Sequence, residues 1–356
     1  MDKAALDVAV PGAETRYPVE FSASAGEYFR IWIVNLALTI VTIGIYSAWA
    51  KVRKKRYFYA HTKIAGEGFE YRGNPIAILK GRLVAVALVA LYSIAGQFSP
   101  LAQGVLALVF AIVFPWLYVR SLAFNAYNSA YRNMRFHFSA TYVEALGLMA
   151  WCAFVTLITA GFGYPYARAE LTRFSAERHR YGTATFALPS LIRIFYGIYV
   201  RLLGFTLLAG VIGVIVVTAV AVVPAGPARW LPALALPLGM FALYLMWFAY
   251  PRARIGNAVW NKLTIGGGTS GAPQVRFESR LRARELAWLY FVNVLALVLT
   301  LGLATAWAVV RTMRYRAEKM TLEVTGGLDG FVAAQESEVA AAPEEVGEML
   351  GFDFSI

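Results

Sequence analysis

The sequence predicts an all-α polytopic membrane protein with small β-strand additions. Three observations carry that class. Of 356 residues, 59% are hydrophobic and 15% charged, whereas a soluble domain carries about 25% charged residues. Mean hydropathy is +0.57. A pattern of apolar run, Gly break and basic helix also occurs three times in fixed register. Glu27, Thr42, Gly44, Ala50 and Arg56 recur as Glu144, Thr159, Gly161, Ala167 and Arg173, and again as Glu285, Thr300, Gly302, Ala308 and Arg314. Spacing held at five positions over three copies reads as an internal repeat, and two copies precede a transmembrane helix pair.

Residues 1–16 are polar and read as a flexible N-terminus with no apolar signal-peptide core. The first repeat occupies 17–135. It opens on a short alternating strand at Tyr17–Ser22 and continues as the apolar run Glu27–Ile45. Ser47 is the expected N-cap of the basic helix that follows. A strand and turn are expected at Gly66–Gly73, then spans at 83–98 and 101–119 parted by Ser99-Pro100. The second repeat occupies 136–276 and begins with a strand at Phe136–Phe138. Pro165 stands where the first repeat has Ala48 and suits the first turn of a helix. Spans follow at 202–223 and 230–250. The Gly-rich segment Gly266–Gly271 lacks the Lys and the strand–helix context of a phosphate-binding loop and reads as a connector. The third repeat, 277–331, has no span pair after it. Residues 332–356 hold six acids and no base, which predicts an acidic disordered tail.

Charge decides which runs cross. Blocks at 51–82, 120–135, 168–193, 252–284 and 311–319 hold 28 of the 33 Lys and Arg residues. Seven full spans would divide these sixteen to twelve between the faces. If the three repeated runs enter without crossing, while the four longer segments cross, all five blocks share one face. The positive-inside rule favours that arrangement. Lys51 follows Gly44 by only seven residues, so entry must be shallow, with the basic helices at the interface.

The sequence offers little chemistry. Cys152 is the sole cysteine, and His61, His137 and His179 lack metal-ligand spacing. There is no nucleophile elbow, P-loop or dinucleotide fingerprint, so no enzyme activity, cofactor or metal is expected. The net charge of +12 lies beside apolar segments, where it sets topology, so nucleic acid is not an expected partner. Anionic lipid head groups at the cytoplasmic face are. The candidate positions are the repeated ones. Glu27, Glu144 and Glu285 with Arg56, Arg173 and Arg314 read as structural ion pairs at the run edges. Thr42, Thr159 and Thr300 with Gly44, Gly161 and Gly302 mark broken backbone near lipid, as in transporters. Asn35 and Asn293 occupy matching positions inside two runs. Two functions follow as expectations: transport or permeation of a small solute, or a non-enzymatic scaffold that binds anionic lipid.

The run Asn35…Thr42-Ile-Gly44-Ile-Tyr46-Ser47-Ala-Trp49-Ala50-Lys51-Val-Arg53…Arg56-Tyr57, with Gly66…Phe69-Glu-Tyr71…Gly73 and Gly81-Arg82 after it, resembles the YjgN-like family of bacterial inner-membrane proteins. The likeness extends over roughly 18–331. Ala48 departs from it, standing where that family usually has Pro. The resemblance implies an integral cytoplasmic-membrane protein and supplies no activity.

Overall fold

The computed structural model describes residues 14–222, 230–266 and 273–341. The sequence expectations for 1–13, the 223–229 link, the connector at 267–272 and 342–356 lie outside them. The chain begins β1 (Glu14–Phe21), α1 (Ala25–Val41), α2 (Ser47–His61) and β2 (Thr62–Ile64). Next come β3 (Glu67–Tyr71), α3 (Pro75–Phe98), α4 (Pro100–Tyr127) and β4 (Ser129–Tyr131). The third unit is β5 (Met134–Phe138), α5 (Tyr142–Ile158), α6 (Tyr164–Glu177) and β6 (His179–Tyr181). The fourth is β7 (Ala184–Ala187), α7 (Ile192–Val222), α8 (Trp230–Trp260) and β8 (Thr264–Gly266). The last is β9 (Pro273–Ser279), α9 (Ala283–Leu299), α10 (Thr305–Glu318) and β10 (Met320–Thr325), followed by α11 (Leu328–Ala341).

Local chemistry sets the helix starts. Ser24 and Thr141 cap α1 and α5 by accepting the amides of Glu27 and Glu144, and Glu144 returns a bond to Thr141 N as a capping box. Asn74-Pro75 and Ser99-Pro100 start α3 and α4 in the same way, with the proline at the first helical position. Ser47 is not the expected N-cap. It is the first residue of α2, and the Tyr46 amide is taken instead by the Thr42 hydroxyl at 2.9 Å.

The strands overturn the predicted fold class. They are no small addition to an all-α protein but a closed antiparallel barrel of ten strands, each paired with its neighbours in sequence and β10 paired with β1. Closure joins Glu14 to Thr325 and Pro18 to Thr321. In such a barrel, alternate connections share a rim. Tight turns at Ala65-Gly66, Arg132-Asn133 and Gly182-Thr183 lie on one rim. The first two have positive φ at both central residues, the signature of type I′ hairpins. The other rim carries five helical hairpins, α1–α2, α3–α4, α5–α6, α7–α8 and α9–α10. Each helix packs chiefly on its sequence neighbours, and α10 packs on α1, so the helices form a ring beneath the barrel. The five hairpins alternate in length: α1–α2, α5–α6 and α9–α10 are short, and α3–α4 and α7–α8 are long.

Length separates the hairpins. At 1.5 Å per residue a 17-residue helix such as α1 reaches about 26 Å, short of the roughly 30 Å hydrocarbon core once its polar first turn is subtracted. The helices α3, α4 and, over Ile192–Thr218, α7 are long and apolar enough to cross. No residue of α3 is buried within the protein. An apolar helix with no buried face requires an apolar solvent.

Every strand contributes to one apolar cluster. Ile64, Tyr131, Tyr181, Ala184, Ile265, Val275, Leu322 and Val324 form it, with Tyr17, Val19, Phe69, Met134 and Phe136 packed against them. A cluster touched by all ten strands of a closed barrel fills its lumen. Leu328, Phe331 and Val332 of α11 belong to the same cluster. Asp329 pairs with Arg132 at the β4–β5 turn, and Gln335 Oε1 accepts from Thr183 N and Ala184 N at 3.0 and 2.8 Å. Helix α11 therefore covers the rim opposite the helical ring. The expected disordered tail began at 332, yet the residues to 341 are helical and docked.

Candidate functional site

The repeated acids lie where each short hairpin returns to the barrel. Glu27 accepts from the Tyr57 hydroxyl at 3.1 Å and lies 3.9 Å from His61 Nε2. Glu144 pairs with Arg178 at 3.1 Å. Glu285 accepts from the Tyr315 hydroxyl at 3.0 Å and pairs with Arg282 at 3.0 Å and Lys319 at 3.6 Å. Burial works against ionisation of Glu285, but the Tyr315 hydroxyl, Arg282 and Lys319 outweigh it and hold the carboxyl below its usual range. The bases His61, Arg178 and Lys319 occupy equivalent positions, so one contact joins the start of the first helix to the end of the second in all three.

The expected Glu–Arg pairs are not formed. Arg56 Nε donates to Tyr71 O, Arg314 Nη2 to Ala23 O, and Arg173 Nε to Glu177 at 2.9 Å. Helical phase is the reason. Positions one and five residues after the Arg, here Tyr57 and His61, share a face with one another and that face meets α1. The Arg56 and Arg314 side chains turn to the barrel rim, and Arg173 pairs along its own helix.

The Thr and Gly positions form the hairpin tips. The hydroxyls of Thr42, Thr159 and Thr300 donate to Leu38, Val155 and Ala296 carbonyls at 2.7, 2.6 and 2.7 Å. They also accept the amides of Tyr46, Gly163 and Ala304 at 2.9, 2.6 and 2.9 Å. Gly44, Gly161 and Gly302 take φ of 88°, 93° and 90°, and each donates to the carbonyl five residues back, the helix-ending pattern described for glycine C-terminal motifs. Both hydrogen-bonding roles of each hydroxyl are used inside its own hairpin, so these positions build a turn. The tips are apolar: Ile43 is 95% and Leu301 94% exposed.

A cavity of about 470 Å³ lies where α8, α9 and α10 meet, reached by Lys54 from α2. Arg252 and Arg316 line it with Lys54, and no acid does so among the described residues. Leu245, Phe248, Val294, Leu297, Val309 and Met313 supply its apolar wall. Asn293 lines it at 7% exposure, its Nδ2 donating to Thr312 Oγ1 at 3.1 Å and Ala308 O at 3.4 Å. Lys54, Arg252 and Arg316 are not repeated positions. The counterparts of Lys54 are Leu171 and Thr312, and those of Arg316 are Phe58 and Ser175. The cavity is particular to the third short hairpin, so a search for shared positions passes over it. The charge blocks at 51–82, 252–284 and 311–319 are the sequence signal for these cations, though charge alone points to topology.

Helices with unburied apolar surfaces, long enough to cross a bilayer and footed on basic residues, make this an integral membrane protein. The chain belongs to the family described as bacterial protein of unknown function (DUF898), which it matches over residues 16–349. It is similar to the inner membrane protein YjgN of Salmonella typhimurium (strain LT2) and of Escherichia coli K12, each 29% identical over 123 residues. The YjgN of Escherichia coli O157:H7 is 30% identical over 122 residues. These matches cover 34% of this chain and 31% of each relative, so the chain aligns with about a third of the length of the curated relatives it matches. No solved structure matches. The relatives and the apolar helices together assign the chain to the bacterial inner membrane.

Proposed function

We propose that this chain is a non-enzymatic, multi-pass membrane protein that holds an anionic amphiphile of the cytoplasmic leaflet between α8, α9 and α10. The carrying observation is the cavity itself: three cations above an aliphatic wall, with no lining acid among the described residues. In this reading the barrel lies in the cytoplasm, α3–α4 and α7–α8 cross, and the three short hairpins are re-entrant. The basic blocks at the hairpin feet support that orientation. From Gly44 to Lys51 is about 10 Å along the chain, matching the depth to which interfacial helices bury. Solute permeation has less support, because the Thr hydroxyls at the three broken segments that suggested it are used within their own turns.

The test is lipid binding by the purified, delipidated full chain. Anionic lipid is expected to bind and phosphatidylcholine not. At about 1 kcal/mol per cation, the combined variant Lys54→Gln, Arg252→Gln, Arg316→Gln should lose about hundredfold in affinity. Unchanged affinity in that variant would remove the proposal.

A further inference from the structure

We infer that the head group of the amphiphile is a phosphate monoester, as in phosphatidic acid; this rests on the lipid reading above. Helix direction places the head group. Helices α8 and α10 run toward the barrel and α9 runs away from it. Along α8 the lining passes from Leu245 through Phe248 to Arg252, and along α10 from Thr305 through Val309 to Arg316. The cations therefore lie at the barrel end, and acyl chains follow Leu245, Val309 and Leu297 deeper. Two of the cations meet at one side chain. Arg316 Nη2 donates to the Tyr290 hydroxyl at 3.5 Å, and the Arg252 guanidinium lies 5.8 Å from the Tyr290 ring and 4.7 Å from that of Phe248.

Lys54, Arg252 and Arg316 form no ion pair among the described residues. The four helices that supply the lining carry two acids, Glu285 and Glu318, and neither lines the cavity. Glu285 is already paired with Arg282 and Lys319. Like charges gathered without a counter-charge repel one another, so the site favours the ligand that brings the most negative charge. Ethanolamine and serine head groups add an ammonium, which three cations repel and no lining acid receives. A phosphodiester with a neutral substituent, as in phosphatidylglycerol, brings a single charge and two unesterified oxygens. A terminal phosphate monoester carries close to two charges at neutral pH and three free oxygens, one for each cation, and guanidinium forks match that geometry.

The experiment measures binding of phosphatidic acid, phosphatidylglycerol with the same acyl chains, and inorganic phosphate to the delipidated full chain, with phosphatidylcholine as the control. At pH 7.5 phosphatidic acid is expected to bind about tenfold more tightly than phosphatidylglycerol. A phosphate monoester takes up its second proton near about pH 6, and the lining holds no acid or histidine, so the ratio should shrink to about threefold at pH 5.5. Lys54→Gln should reduce the ratio at pH 7.5 to a similar value. Lys51→Gln, the same charge change on α2 outside the cavity, should leave it unchanged. The lipid-free thermal midpoint of each variant reports folding separately. Equal binding of the two lipids by the wild type, a ratio that does not shrink in acid, or one that Lys51→Gln lowers as far as Lys54→Gln, overturns this assignment and leaves the lipid reading standing. Binding of neither lipid above phosphatidylcholine, or inorganic phosphate binding as tightly as phosphatidic acid, overturns both.

Discussion

Glu144, in the first turn of α5, and Arg178, directly after α6, form an ion pair of 3.1 Å. They are 34 residues apart and mark the two ends of a helical hairpin. Their contact means that the apolar segment between them leaves the barrel rim and comes back to it. Glu285 and Lys319 repeat the relationship at 3.6 Å, and Glu27 and His61 at 3.9 Å.

Removing Glu144 should cost more than removing Arg178. The ion pair is two-fifths exposed on both sides and contributes at most about 1 kcal/mol. Glu144 also completes the capping box with Thr141, whose loss costs about 1 kcal/mol more. Thermal unfolding in detergent should rank Glu144→Ala below Arg178→Ala, and equal midpoints would show that the cap contributes nothing.

Two glycines in the second short hairpin should respond in opposite directions. Gly161 sits at φ 93°, so Gly161→Ala forces a side chain into left-handed backbone at about 1–2 kcal/mol. Gly147 lies inside α5 with open space at its Cβ position, and Gly147→Ala should stabilise by about 0.5–1 kcal/mol. Denaturation midpoints of the two variants check the sign of each change.

Helix α11 should be a structural part of the barrel. Gln335 is 1% exposed and its Oε1 takes two backbone amides and the Thr183 hydroxyl. Gln335→Leu strands the two amides, while the Thr183 hydroxyl keeps Glu338 as its acceptor, at a cost of about 1–3 kcal/mol. The expected result is a lower midpoint together with faster proteolysis of residues 328–341. A variant as stable as the parent would mean that α11 is a loosely attached appendage.

Stability should fall in mild acid. Burial, then Arg135 and Arg180, lower the pKa of His137, and burial lowers that of His179 despite its bond to Ser175 O. In the unfolded chain both protonate near 6.5, whereas in the fold they resist protonation until lower pH. The unfolded state therefore binds more protons, and stability present above pH 6.5 is lost as pH drops through that value toward the depressed folded values. The thermal midpoint should fall between pH 7.5 and 5.5, and His137→Phe with His179→Phe should flatten that slope. A slope unchanged in the double variant would assign it to other groups.

What the sequence disclosed depended on how local the signal was. Thr42 and Gly44 act four or five residues from themselves, so their spacing predicted a break, and a break is present. The basic blocks predicted one charged face, and the feet of all five hairpins lie on one rim. The barrel was hidden for two reasons. The strands β2, β4, β6 and β8 have three residues each, too few for a two-residue alternation to register, and closure pairs Glu14 with Thr325 across nearly the whole chain. The Glu partners are not legible in the sequence, because spacing identifies Arg56 as a repeated charge without giving its helical phase. Lys54, Arg252 and Arg316 come from three separate helices and converge only once the ring has closed.

The central claim is that all five hairpins leave and rejoin the membrane on the same face. Thiol labelling of intact cells tests it most directly. In a Cys152→Ser background, single cysteines replace Glu27, Thr62 and Ala228, the last lying between α7 and α8. With an impermeant reagent, Ala228→Cys should label from outside, while Glu27→Cys and Thr62→Cys should label only after the cells are permeabilised. Labelling of position 27 from outside while position 62 stays protected would make α1–α2 a true span and contradict the account.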